Sequence, residues 1–89
     1  MHLTRLRLFH YRNIQELEIA PFQGTTLFVG KNGQGKTNII EAIYFLAFGR
    51  SFRTSTPREC ILHGEKECRI EGTVQHGALV RDLEVRISG

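Results

Sequence analysis

Eight consecutive residues, Gly30-Lys31-Asn32-Gly33-Gln34-Gly35-Lys36-Thr37, fit the pattern G-x-x-x-x-G-K-[ST] at every fixed position. Glycines at the bends of such a loop let backbone N–H groups converge on one anion, where side chains would stand in the way. Gly30, Gly33 and Gly35 clear that space. Lys36 adds a mobile positive charge that reaches β- and γ-phosphates, and the Thr37 hydroxyl is placed to complete the oxygen shell of a Mg²⁺ ion. All eight residues are candidate nucleotide contacts, Thr37 is the candidate metal ligand, and a nucleoside triphosphate is the expected ligand.

A pattern this short recurs by chance, so it counts only between a strand and a helix. Thr25-Thr26-Leu27-Phe28-Val29 is β-branched and aromatic and predicts a short buried strand before the loop. After it, residues 38–48 carry one charge, Glu41, and predict a helix. Ile39, Ile43 and Leu46 mark one face and Ile40, Tyr44 and Ala47 another, so the helix is expected to be buried nearly all round. Gly49 is placed to end it in the left-handed conformation. The helix N-terminus, with unpaired N–H groups and a positive dipole end, favours an anion at the loop.

Further elements frame this unit. Residues 3–9 alternate Leu6 and Leu8 with Arg5 and Arg7, and residues 15–20 alternate Leu17 and Ile19 with Glu16 and Glu18, which predicts two strands with one wet face each. Tyr11-Arg12-Asn13 is the expected hairpin turn, and Pro21 ends the second strand. Residues 50–57 are polar and turn-rich, with a short helical turn expected from Thr56 or Pro57 to Leu62. Residues 68–75 and 79–87, split by His76-Gly77-Ala78, predict an antiparallel hairpin.

Composition narrows the class. Eighty-nine residues make one small domain at most, which buries roughly 60% of its unfolded surface. A phosphate-loop fold needs several parallel strands covered by helices, and one such unit is present, so residues 1–89 are expected to be an amino-terminal portion of one domain. Cys60 and Cys68 without a secretory signal fit a reducing compartment, and no apolar stretch reaches membrane-spanning length. A soluble, cytoplasmic protein without a membrane role is expected. The net charge is +3, with Arg5, Arg7 and Arg12 ahead of any acid and Arg50, Arg53 and Arg58 after the helix. That distribution is compatible with a phosphate-backbone partner and equally with an ordinary solvated surface. Cys60, His63, Cys68 and His76 lack metal-ligand spacing, which argues against zinc.

Read together, residues 30–53, including Asn38-Ile39-Ile40-Glu41-Ala42-Ile43-Tyr44 and Gly49-Arg50-Ser51-Phe52-Arg53, closely resemble the RecF family of bacterial DNA replication and repair proteins. Leu3-Thr4-Arg5-Leu6 and Tyr11-Arg12-Asn13-Ile14 extend the resemblance over nearly all of the chain. It implies an α/β P-loop NTPase of the ABC-ATPase head type, related to structural-maintenance-of-chromosomes and Rad50 heads, with antiparallel hairpins beside the P-loop strand and helix. It also implies ATP with Mg²⁺, an ATP-dependent homodimer, binding of double-stranded DNA and gap junctions, RecO and RecR partners, recombinase loading and a part in the SOS response. By the same resemblance Asn38 is expected near the α-phosphate, and Arg12 and Asn13 are expected to approach the nucleotide.

One departure limits the chemistry. ATP hydrolysis in this class needs an apolar strand ending in Asp-Glu and a signature loop from the opposite subunit. Neither occurs; Val80-Arg81-Asp82 is the nearest candidate, and Arg81 breaks its apolar run. The chain by itself is therefore expected not to hydrolyse ATP. Two other readings stay open: a kinase or GTPase built on the same loop, and an inactive piece with weak nucleotide contact.

Overall fold

The computed structural model describes residues 2–20 and 33–89. Four strands, β1 (His2–Tyr11), β2 (Ile14–Ile19), β3 (Glu67–His76) and β4 (Leu79–Ser88), form one sheet in the order β2-β1-β3-β4. Each neighbouring pair is antiparallel. Among the described residues, one helix, α1 (Gly33–Phe48), packs on the sheet, and one 3₁₀ turn spans Pro57–Cys60. The expected strand at residues 25–29 and loop residues Gly30, Lys31 and Asn32 lie outside the described residues.

Alternation in the sequence becomes a two-faced sheet. Leu8 pairs with Leu17 on one side and Ile70 on the other, while Leu6 pairs with Ile19 and Gly72. Their side chains meet Ala42 and Phe45 of α1, together with Tyr11, Cys60, Cys68 and Ile87, in one core. The opposite face carries Arg5, Arg7 and Phe9, with their charged neighbours on β2, β3 and β4. Both expected hairpins are present. The first turns at Arg12 and Asn13, with Arg12 in the left-handed region at φ 54°, and the second turns at Gly77, φ 63°.

Helix and sheet approach closely at Gly72. A Cβ there would lie 2.7 Å from Leu46 Cδ1 and 3.1 Å from Leu3 Cδ1, so glycine admits the helix at this point. Gly49 ends α1 at φ 73° and donates its N–H to Phe45 O at 2.8 Å, the left-handed cap expected of it.

Three expectations need correction. The helix starts at Gly33 and not at residue 38, because its first turn is built from glycine and polar residues that hydrophobic periodicity does not register. It is also buried on one side only. Asn38, Glu41, Ala42 and Phe45 face the sheet, whereas Ile40 is 39% and Phe48 63% exposed. Finally, the turn after Pro57 stops at Cys60 and does not run to Leu62. Ile61 instead takes extended geometry and bridges to Tyr11, which pulls the chain back alongside the end of β1.

Candidate functional site

Residues 33–37 form the first turn of α1, and Lys36 and Thr37 are half-buried there. N–H groups in the first turn of a helix have no intrahelical acceptor, and no acidic residue stands in this turn to compete for them. Those two observations fit the triphosphate anion that the loop pattern implies, with amide donors in the first turn and the Lys36 side chain on the same turn.

One turn further along, the helix presents its polar residues to the interior. Asn38 is buried, and its side-chain amide donates to Asn13 Oδ1 at 3.0 Å. This bond ties the β1–β2 turn to α1. Glu41 is buried to 0% exposure. Its carboxylate accepts from Tyr11 Oη at 2.6 Å and from Arg12 through Nε at 2.7 Å and a terminal nitrogen at 2.9 Å. The Ser51 hydroxyl also donates to it, and one terminal nitrogen of Arg53 lies 3.4 Å away while donating to Asn38 Oδ1 at 2.8 Å. The Cys60 thiol completes the ring at 3.8 Å.

A carboxylate in such a place must be fully satisfied or it would protonate. Burial alone would push Glu41 up, but the hydrogen bonds from Arg12, Ser51 and Tyr11 outweigh it and hold the group at about 2. The same ring acts in the opposite sense on its acidic neighbours. Tyr11 is pushed well above the phenol range by burial and then by its bond to Glu41, and Cys60 is raised by burial and then by the Glu41 charge. Arg12 is made still harder to deprotonate by its bond to Glu41.

Arg12, Asn13 and Asn38 line an open cleft of about 480 Å³, shared with Arg58, Ile61 and His63. The structure thus brings together three residues that sequence reasoning placed near a nucleotide. It also brings in Glu41, Ser51 and Tyr11, which that reasoning gave no role at the site. The available signal was Glu41 as the lone charge within residues 38–48. Arg50 is exposed and lines a second open groove of about 680 Å³ with Tyr44, Phe52 and Arg53. Asp82, the nearest candidate for a catalytic acid, sits exposed on β4 and accepts from Thr73 Oγ1 at 3.0 Å, on the sheet face turned away from α1.

A family model described as an AAA domain matches residues 5–86. The DNA replication and repair protein RecF of Limosilactobacillus fermentum is 46% identical over 88 residues, covering 99% of this chain and 24% of the relative. RecF of Streptococcus equi subsp. zooepidemicus is 42% identical over 88 residues, with the same coverage of 99% and 24%. Among solved structures, the recombination mediator protein RecF-ATPrS in the RecFOR pathway superposes with a TM-score of 0.82 at 27% identity, covering 98% of this chain and 24% of that one. RecF-ATP in the same pathway gives 0.80 at 27% identity, also covering 98% and 24%. The chain spans about a quarter of the length of the relatives it matches, at 24%.

Proposed function

The chain belongs to the AAA domain family, and from that premise we propose that it is the nucleotide-holding part of a RecF-type, ATP-dependent DNA repair protein. Its α/β fold is that of a RecF ATPase head, and its similarity to RecF extends over 99% of its length. The observation that carries the reading is the phosphate-loop pattern running into the first turn of α1, with Lys36 and Thr37 on that turn.

In this reading Gly30, Lys31, Asn32, Gly33, Gln34 and Gly35 supply backbone donors to the ATP phosphates. Lys36 neutralises charge on the terminal phosphates, and the Thr37 hydroxyl holds Mg²⁺, which offsets phosphate charge when bound. Arg12, Asn13 and Asn38 stand at the neighbouring cleft as further polar contacts. Hydrolysis needs an Asp-Glu strand and a signature loop, which these residues do not supply. The protein as a whole, in this proposal, dimerises around ATP, binds duplex DNA at gap junctions, and works in the cytoplasm with RecO- and RecR-type partners in recombinase loading and the SOS response.

Fluorescent-ATP titration and DNA anisotropy on the full-length protein test this. ATP should bind in a Lys36-dependent way and DNA affinity should rise with ATP. ATP-independent DNA binding, a marked preference for GTP, or phosphoryl transfer to a small molecule would remove the repair reading.

A further inference from the structure

Two guanidinium groups from separate stretches of chain dock on one carboxylate that is closed off from water. Arg12 comes from the β1–β2 turn and Arg53 from the segment after α1, and both converge on Glu41. The position lies on the sheet-facing side of α1, beside Ala42 and Phe45, where an apolar residue would satisfy packing without desolvating a charge. Glu41 does what an apolar residue cannot: it fixes two cations against the helix.

The docked arginines are not used up. Arg12 engages Glu41 through Nε and one terminal nitrogen, and Arg53 divides one terminal nitrogen between Glu41 and Asn38. Among the described residues, the second terminal nitrogen of Arg12 and the Nε and second terminal nitrogen of Arg53 have no partner. The ensemble carries two positive charges against one negative, within about one helical turn of Lys36 and Thr37. The side chains of the two arginines remain 20% and 26% exposed, so neither is sealed from solvent as Glu41 is.

We propose that Glu41 is a positioning residue for the nucleotide site, a buried carboxylate that sets Arg12 and Arg53 at fixed places against α1, one turn on from Lys36 and Thr37. This rests on the nucleotide reading above. Glu41 touches no phosphate itself; it removes from the two long side chains the rotamer freedom they would otherwise lose on binding an anion.

The test is fluorescent-ATP affinity and thermal melting of the full-length protein carrying Lys36→Ala, Glu41→Gln, Arg12→Ala and the Glu41→Gln/Arg12→Ala pair. Glu41→Gln should weaken ATP roughly tenfold at temperatures where the variant is folded, and Arg12→Ala should cost clearly less in that background than alone. Melting at lower temperature with unchanged ATP affinity, or additive losses in the pair, would overturn the proposal and leave Glu41 as a packing device. Should Glu41→Gln not fold, Glu41→Asp keeps the charge but is too short to hold both arginines, and unchanged affinity in that folded variant overturns the proposal equally. Lys36→Ala separates the two levels: if it leaves ATP binding intact, the phosphate-loop reading has failed, whatever Glu41 does.

Discussion

Glu41 shows how one side chain makes stability depend on pH. Its carboxyl is held at about 2 against an ordinary 4.5, so its stabilising effect is complete above the ordinary value and lost as pH falls through the lower one. The size of that displacement corresponds to about 3 kcal/mol. Urea denaturation of the full-length protein between pH 5 and 2 should therefore show a steep loss of head stability, and Glu41→Gln should flatten that limb while lowering stability at neutral pH. Tyr11→Phe removes the 2.6 Å bond to the same carboxylate and should cost about 1–3 kcal/mol, because a buried acceptor is left short of a donor. The two thiols offer a third check. Burial raises Cys60, and Cys68 is pushed up to about 12, first by burial. Both should react with an aromatic disulfide reagent at pH 8 at least about a hundredfold more slowly in the folded protein than in denaturant. At this scale the phosphate-loop pattern stands out in the sequence because its residue types and spacing are local. The ring around Glu41 was not. Its members come from Tyr11, Arg12, Ser51, Arg53 and Cys60, and nothing in one stretch of sequence says that a turn, a helix and a loop will share a carboxylate.

The packing of α1 on β3 is set by a missing side chain. Gly72 leaves room for the Leu46 and Leu3 methyl groups, which would stand 2.7 Å and 3.1 Å from a Cβ. Those atoms are the ends of flexible side chains, so Gly72→Ala should cost little, about 1 kcal/mol, by shifting Leu46. Gly72→Val adds two methyl groups in the same gap and should cost about 2–3 kcal/mol, with α1 displaced from the sheet. Denaturant midpoints of the two variants, measured with an unchanged m-value, check the ranking. Hairpins and strand faces were readable in advance, since alternation at Leu6 and Leu8 or Leu17 and Ile19 maps directly onto the pleat. The helix misled on two counts, and both have one cause. Periodicity counts apolar side chains, so it passed over the polar first turn at residues 33–37 and overstated burial at Ile40 and Phe48.

Across the whole sheet, the face turned away from α1 is a lattice of opposed charges. Arg5, Arg7, Arg69 and Arg86 stand among Glu16, Glu18, Glu67, Glu71, Asp82 and Glu84, four cations against six carboxylates. Arg5 meets Glu18 at 2.7 Å, Arg7 meets Glu71 at 3.4 Å, Arg69 meets Glu71 at 3.0 Å, and Arg86 pairs with Glu84. Arg7 and Arg69 also lie over the Phe9 ring, with guanidinium carbons 5.1 Å and 4.2 Å from its centroid. Early arginines that look like a basic patch in the sequence are thus neutralised by acids that arrive from β2, β3 and β4. Duplex DNA gains affinity by releasing counterions from phosphates that meet unbalanced cations, and this face offers none in excess. Arg50 and Arg58, by contrast, are exposed and have no acidic partner among the described residues. Replacing Arg5 and Arg7 together by Ala should leave the full-length protein's DNA affinity within about twofold and the slope of log K against log salt unchanged. Replacing Arg50 and Arg58 should lower affinity and reduce that slope by about one to two. Equal losses from the two pairs would mean that the sheet face opens its ion pairs to meet the duplex.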